Sequence, residues 1–533
     1  MALAWTGVPV LAQSTNQTPD TTAPAQAPNQ QPPADTTPAQ TPDNTAPTDR
    51  QAPADGSSTP TTGTPADPSQ AQPTDQGRPA APTPGVRSGT VKLSDTVTLG
   101  GYGSARYELN NLEKPAPSGF DFRRFVLAAD ATPNDRLQLY SEIEFERLAE
   151  IEVERGVTRL DQGVAFAEDL EGGNGGEISL EQMWGQFKFS DAFKVRFGQI
   201  LVPIGRFNIN HDDDRWDIPR RTLVDRNAPI IPVKAAWTEL GVGFTGSRDV
   251  GKSGQLTYQA YVVNGAIIDF AIEKQVESEN GQSILKLASE SAITRGPVNG
   301  EGGVRAGAWR VAYSPNLNLE LGFSGYMGGY LPDFLNVNEK LDVDAKIKSF
   351  GADGLWKHGN LAIEGEYIHT DFGNTDRVID AFIDTVTAET GVAPLPGPKG
   401  TETEYALLDL TPSRSGFWIE GRYRFWNDKW KNTFLGKGFD DPHLSAVFRY
   451  ELATLKHAIE EVQVENGEIE HGDGQTLRQQ RATIGLAYRP IQSVVFSVVG
   501  EFNRRLEGDV LIFPRGFPEK TYASLLAGMA FGF

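Results

Sequence analysis

The chain has 533 residues, of which 38% are hydrophobic and 22% charged; its net charge is -21 and it contains no cysteine. The charge argues against nucleic acid as a partner, since phosphate binding wants a basic surface. The missing cysteines exclude disulfides, thiolate nucleophiles and thiolate metal sites. No apolar run approaches the roughly 18–20 residues of a transmembrane helix, which excludes an inner-membrane helical protein but not a barrel, whose strands need only about 9–11 residues.

The first residues, MALAWTGVPVLAQS, end an apolar stretch in small residues before Gln13. This has the form of the end of a secretory signal peptide cleaved after Ala12, so 1–12 is expected to be a partial signal peptide. Residues 13–88 are almost all Pro, Thr, Ala, Gln, Asp, Ser and Gly, without an aromatic residue. Such a segment buries too little apolar surface to offset its ordering entropy and is expected to be a disordered, acidic tether. Residues 89–533 form the expected folded part.

From Val91 onward the pattern has period two. In VTLGGYGSARYEL, Val97, Leu99, Gly101, Gly103, Ala105, Tyr107 and Leu109 share one face. In LQLYSEIEFE, Leu137, Leu139, Ile143 and Phe145 oppose Gln138, Tyr140, Glu142, Glu144 and Glu146. In SGFWIEGRYRF, Phe417, Ile419, Tyr423 and Phe425 oppose Trp418, Glu420, Arg422 and Arg424. Strict alternation of this length indicates strand.

The connections alternate as well. Tight turn sequences (TPND, SDA, SPN, KHGN, PIQS) are interleaved with long polar segments at 147–176, 203–237, 265–304, 328–345, 371–414, 455–476 and 504–520. The connection 426–441 breaks the rule, being long where a short turn is due. An all-β, transmembrane antiparallel barrel of about sixteen strands explains the alternation, because such barrels have short periplasmic turns and long external loops. The last strand, TYASLLAGMAFGF, places Phe533, Phe531, Met529 and Leu525 on one apolar face. Its terminal aromatic, Phe533, is expected to act as the insertion signal read by the barrel assembly machinery.

VTLGGYGSARYE, GFDFRRFVLAADATPNDRLQLYSEIEF, VRFGQILVPIGRFN, ELGVGFTGS and LTYQAYVVNG resemble the phosphate-selective porin O and P family. The most specific part is the FGQ-x-x-x-P-x-G pattern at Phe197–Gly205. The resemblance implies a sixteen-stranded porin of a Gram-negative-type outer membrane, usually a homotrimer in outer-membrane lipid. It also implies a ladder of inward arginines and a third external loop folded into the pore.

The residues themselves give a mixed lumen. Inward positions carry Glu142, Glu144, Glu146, Glu364, Glu366, Glu420 and Glu501, but also Arg106, Lys188, Lys194, Arg196, Arg422, Arg424 and Arg481. At Arg123-Arg124 the parity stays open. The third long connection holds an acidic cluster (Asp212, Asp213, Asp214, Asp217) and a basic one (Arg215, Arg220, Arg221, Arg226). Folded inward, these would face each other across a narrow water path and set a local field. Together with Glu142, Glu144, Glu146, Arg196, Arg422 and Arg424 they are the candidate pore-lining and constriction residues. Tyr102, Tyr140 and Trp184 point inward, as packing support or as a patch for sugars. No metal, cofactor or catalytic residue is expected.

The resulting expectation is passive diffusion of small hydrophilic solutes or ions, with the tether in the periplasm. The alternatives are a substrate-specific (phosphate, dicarboxylate or carbohydrate) porin, a barrel acting mainly as a cell-wall anchor through its tether, or a lipase-like enzyme built near His369.

Overall fold

The structure is a computed structural model that describes residues 90–533 apart from 111–117, 148–150, 161–162, 173–176, 226–229, 235, 280–281, 298–304, 332–344, 391–402, 406–410, 459–461, 466–467, 472–473 and 515–516. The expected signal end and tether lie outside the described residues.

Sixteen long strands follow one another: β1 (Val97–Asn110), β2 (Gly119–Asn134), β3 (Leu137–Glu146), β4 (Glu177–Ser190), β5 (Phe193–Leu201), β6 (Thr238–Val250), β7 (Gly254–Val263), β8 (Ala306–Asn316), β9 (Leu319–Gly329), β10 (Lys346–His358), β11 (Leu361–Phe372), β12 (Ser413–Phe425), β13 (His443–Ala458), β14 (Gln475–Ile491), β15 (Val494–Glu507) and β16 (Thr521–Gly532). Each pairs antiparallel with the next. The last returns to the first, from Tyr102↔Gly532 to Asn110↔Ser524, so the sheet closes. Closure satisfies every strand's backbone groups within the sheet and leaves no edge.

The lengths of the connections alternate as the turn chemistry predicts. At one end, 135–136, 191–192, 251–253, 317–318, 359–360 and 492–493 are short, and 426–442 is long with a 3₁₀ turn at Asp428–Asn432. The other end carries the long connections. Within 202–237 lies the one-turn helix α1 (Arg206–Ile209), and within 373–412 the helix α2 (Thr375–Thr390). Among the described residues, three of the long connections contain hairpins: Ile151–Leu160 with Gly163–Gly172, Ile267–Glu279 with Gln282–Thr294, and Val462–Glu465 with Glu468–His471.

The burial pattern is inverted relative to a soluble sheet. Outward side chains are large, apolar and exposed, for example Phe197 (64%), Phe323 (60%), Ile484 (58%) and Phe502 (58%). The inward positions of the same strands hold buried charged or polar residues, such as Arg196, Ser324, Arg481 and Glu501. An apolar cluster sits inside the barrel, where Ile204, Phe207, Trp216, Leu223 and Val224 of connection 202–237 pack with inward Tyr326, Ile368 and Trp418 and with Val378, Ile379 and Phe382 of α2. At the seam, the Phe533 carbonyl accepts from Gly101 N at 2.9 Å, and Phe533 N donates to Gly101 O at 3.0 Å. The Phe533 ring stacks on Phe125 with centroids 6.0 Å apart.

Candidate functional site

The site is built from the inner wall and the connection that enters it. Two β-bulges decide which charges face inward. Between β1 and β2 the register shifts at Ser104/Ala105, so Ser104 faces Arg124 and Ala105 faces Phe122. The extra residue, Arg123, turns inward beside Arg124, which resolves the open parity; both are buried. Between β3 and β4 the register shifts at Glu142/Ile143. Glu181 is the extra residue there, and it is buried next to Gln182. A bulge adds one unpaired residue and resets the alternation beyond it.

Arg124, with the bulged Arg123 beside it, largely neutralises the acidic row on β3, while Glu181 adds a further buried carboxylate. Arg124 Nε lies 2.9 Å from Glu144, Arg124 Nη2 lies 3.3 Å from Glu146, and Arg123 Nη2 lies 3.9 Å from Glu146. Glu142 accepts from Tyr140 Oη at 3.0 Å and from Gln182 Nε2 at 2.8 Å. The three glutamates are therefore inward, as expected, but Glu144 and Glu146 are held in ion pairs, which lowers the field they present to the lumen.

Connection 202–237 leaves β5 through the FGQ-x-x-x-P-x-G stretch, whose glycines have backbone reasons. Gly198 has φ 129°, and a Cβ there would lie 2.2 Å from Met183 O. Gly205 has φ 69°, and a Cβ there would meet Ile368 and Glu366. Only glycine adopts such angles cheaply. The chain then turns into α1, whose first residue is clamped to the opposite wall. Arg206 Nε is 2.8 Å from Glu364 and Nη1 is 2.8 Å from Glu320. Arg206 N and Phe207 N both donate to Glu366, the latter at 3.0 Å. Burial opposes the charge of Arg206, but Glu364 and Glu320 outweigh it and hold its pKa above the ordinary value.

His211 lies between this connection and β4. Its Nδ1 is 2.8 Å from Asn208 O, and its Nε2 is 3.5 Å from Glu181 and 3.6 Å from Asp212. Burial pushes its pKa down, but Glu181 and then Asp212 and Glu142 push it up, to about 10. Further along, Asp213 accepts from Ser104 Oγ of β1 at 2.6 Å. Asp217 pairs with Arg489 of β14 at 2.8 Å, and Arg489 also donates to Asp214 O at 3.0 Å. Arg220 bridges Glu108 of β1 and Glu501 of β15, the latter at 2.8 Å. Leu223 N donates to Glu451 of β13 at 3.0 Å, and Arg449 and Arg481 donate to the carbonyls of Arg220 and Arg221.

The connection thus touches β1, β4, β9, β11, β13, β14 and β15. The expected facing of its own acidic and basic clusters is realised only in part. Arg215 pairs with Asp212 at 3.2 Å, and Arg221 lies 3.8 Å from Asp213. Asp217 and Arg220 pair with the wall instead, because buried wall arginines and glutamates need partners more than solvated loop charges do. Arg226 lies outside the described residues. Arg196 stays on its own wall, bonded to Gln186 at 2.9 Å and lying 3.9 Å over the Trp184 ring, which itself stacks on Tyr140. That arrangement is packing support. Arg422 pairs with Glu364 and lies 3.6 Å from Glu420. Toward the turn side, Arg215, Asp217, Lys357, Arg422, Arg424 and Arg489 contribute to the lining of a cavity of about 160 Å³.

Sequence reasoning missed Glu181, His211, Arg449, Glu451 and Arg489. Parity would have found Arg449, Glu451 and Arg489, which alternate with apolar neighbours; Glu181 depends on a bulge, and His211 on a loop path. Among the described residues, no group of three or more His, Cys, Asp or Glu is placed to hold a metal ion.

No family model matches the chain. An uncharacterized protein of Aquifex aeolicus (strain VF5) is 31% identical over 169 residues, which is 32% of this chain and 32% of that protein. The chain therefore spans about one third of the length of the relative it matches. Among solved structures, an anion-selective porin from Comamonas acidovorans aligns over 82% of this chain and 99% of its own, with 11% identity and a TM-score of 0.43. Salmonella typhi OmpF in complex with daunomycin aligns over 83% and 100%, with 11% identity and a TM-score of 0.43. The outer-membrane protein OmpT of Vibrio cholerae aligns over 83% and 100%, with 11% identity and a TM-score of 0.40. The closed barrel of this chain rests on its own strand pairings.

Proposed function

We propose that the chain is an outer-membrane channel of the porin type, giving small hydrophilic solutes or ions a passive path across the membrane. One observation carries this reading: a closed sixteen-stranded barrel has large apolar side chains outward and charged side chains inward. An exposed apolar belt suits lipid, and a charged interior suits hydrated solutes. A soluble barrel of this size would be strongly aggregation-prone with that surface.

In this reading the short connections lie in the periplasm and the long ones outside. Connection 202–237 forms the constriction, held to the wall by its ion pairs to β1, β11, β14 and β15. The pairing of Glu144 and Glu146 with Arg124 favours near neutrality or weak cation preference over phosphate selectivity. The channel works without catalysis or cofactor, assembles as a homotrimer, and uses Phe533 as its insertion signal. Swelling of proteoliposomes in solutes of increasing size tests the reading. Swelling that is fast for the smallest solutes and falls steeply with size supports it; none for any solute contradicts it.

A further inference from the structure

The long turn-side connection 426–442 partly encloses a cavity of about 320 Å³ at the turn-side mouth of the lumen. The other connections at this end are only two or three residues long, so the extra chain has no role in linking β12 to β13. Three carboxylates line the cavity, Asp428, Asp440 and Asp441, together with two cations, Arg424 and Lys431, and the Trp426 ring. In the lumen, charge after charge is ion-paired. Here, among the described residues, none of the five takes part in an ion pair, and all five are open to solvent.

His443 also lines this cavity and is only 6% exposed. Its Nδ1 lies 3.1 Å from the Asp441 carbonyl oxygen. A carbonyl only accepts, so Nδ1 carries the proton and Nε2 of the neutral ring is an acceptor. That Nε2 is buried and has no hydrogen-bond partner among the described residues. A buried acceptor left unmade costs free energy, and a ligand donor recovers it.

We propose that this cavity binds a small zwitterion, an amino acid or short peptide with a free ammonium and a free carboxylate. The three carboxylates and His443 Nε2 form an acceptor set for the ammonium. Arg424 and Lys431 offer donors for the carboxylate, and Trp426 covers the apolar body. A simple anion would face three carboxylates. A volume near the lower end of small-molecule sites suits one or two residues rather than a long chain.

The test is calorimetric titration of the full chain in detergent with dialanine and with its N-acetylated, C-amidated form. Detergent binding does not depend on conductance, so failure here and failure of the channel reading are separable. Saturable binding of free dialanine is expected, weakened about tenfold or more by capping and by the double variant Asp440→Asn, Asp441→Asn. His443→Gln, which keeps an acceptor, is expected to bind more tightly than His443→Phe. Each variant's fold is checked by circular dichroism and heat-modifiable mobility. Equal binding of the capped form, undiminished binding by the folded double variant, or no saturable binding of dialanine overturns the proposal.

Discussion

His211 is buried among carboxylates, and its raised pKa makes stability depend on pH. Burial lowers the pKa, but Glu181, Asp212 and Glu142 raise it from 6.5 to about 10. A group whose folded pKa is raised contributes stability that is complete below its unfolded pKa and is lost as pH rises through the folded one. The His211 contribution is therefore full below about pH 6.5 and gone above about pH 10. Removing one partner of a buried pair costs about 3–5 kcal/mol. The melting temperature of His211→Gln should fall well below that of the unaltered chain at pH 6, and the gap should close by pH 10.5; a gap independent of pH would remove the ion pair from the account. Arg124 gives a second residue-scale prediction. Arg124→Gln removes a cationic partner of Glu144 and Glu146 and should shift the reversal potential toward cations. Replacing Glu142, Glu144 and Glu146 with Gln removes the glutamate partners of Arg124 and should shift it toward anions. Both shifts should shrink at 1 M salt, where the Debye length is about 3 Å. Residues on unbroken strands, such as Glu142, Glu364, Glu420 and Glu501, were legible from parity alone. Arg123 and Glu181 were not, because a bulge is set by the partner strand's register and leaves no mark in the alternation.

At the scale of elements, the sixteen strands were legible because outward apolar and inward polar residues alternate along most of their length, bulges apart. The anomalous length of 426–442 was legible from its position among short turns. The path of connection 202–237 was not, since its glycines and charges say that it turns and pairs, not with which wall. Its tie points suggest a specific experiment. Replacing Arg220 and Asp217 with Ala removes the side-chain pairs with Glu108, Glu501 and Arg489 while leaving the wall pairs of Arg449 and Arg481 with their glutamates in place. This variant should still fold and should show larger, noisier single-channel currents; unchanged currents would mean that the connection does not narrow the path. The closing strand gives another prediction. Phe533 stacks on Phe125 at the seam, so Phe533→Asp puts a charge on the outward face beside lipid. Charges on a barrel's lipid face cost up to a few kcal/mol with depth. Less assembled barrel in outer-membrane fractions is expected, and full assembly would contradict an insertion role.

For the whole molecule, the inverted polarity is what separates a lipid-embedded barrel from a soluble one. Orientation follows from the connections, and it can be read by single cysteines in a chain that has none of its own. Cysteines at 135 and 492 should resist impermeant thiol reagents on intact cells, and one at 374 should react; labelling of the turns would reverse the orientation. The acidic total charge contributes little here, since the described lumen charges are largely paired. On the proposed reading, water and ions pass through this barrel beside connection 202–237. The measurement that tests it most directly is the current through the purified full chain in a planar bilayer under a salt gradient. Discrete ohmic steps are expected, with a reversal potential near zero or slightly cation-selective and no block of chloride current by phosphate. A bilayer that stays silent with folded protein inserted, or strong anion selectivity with phosphate block, would contradict it.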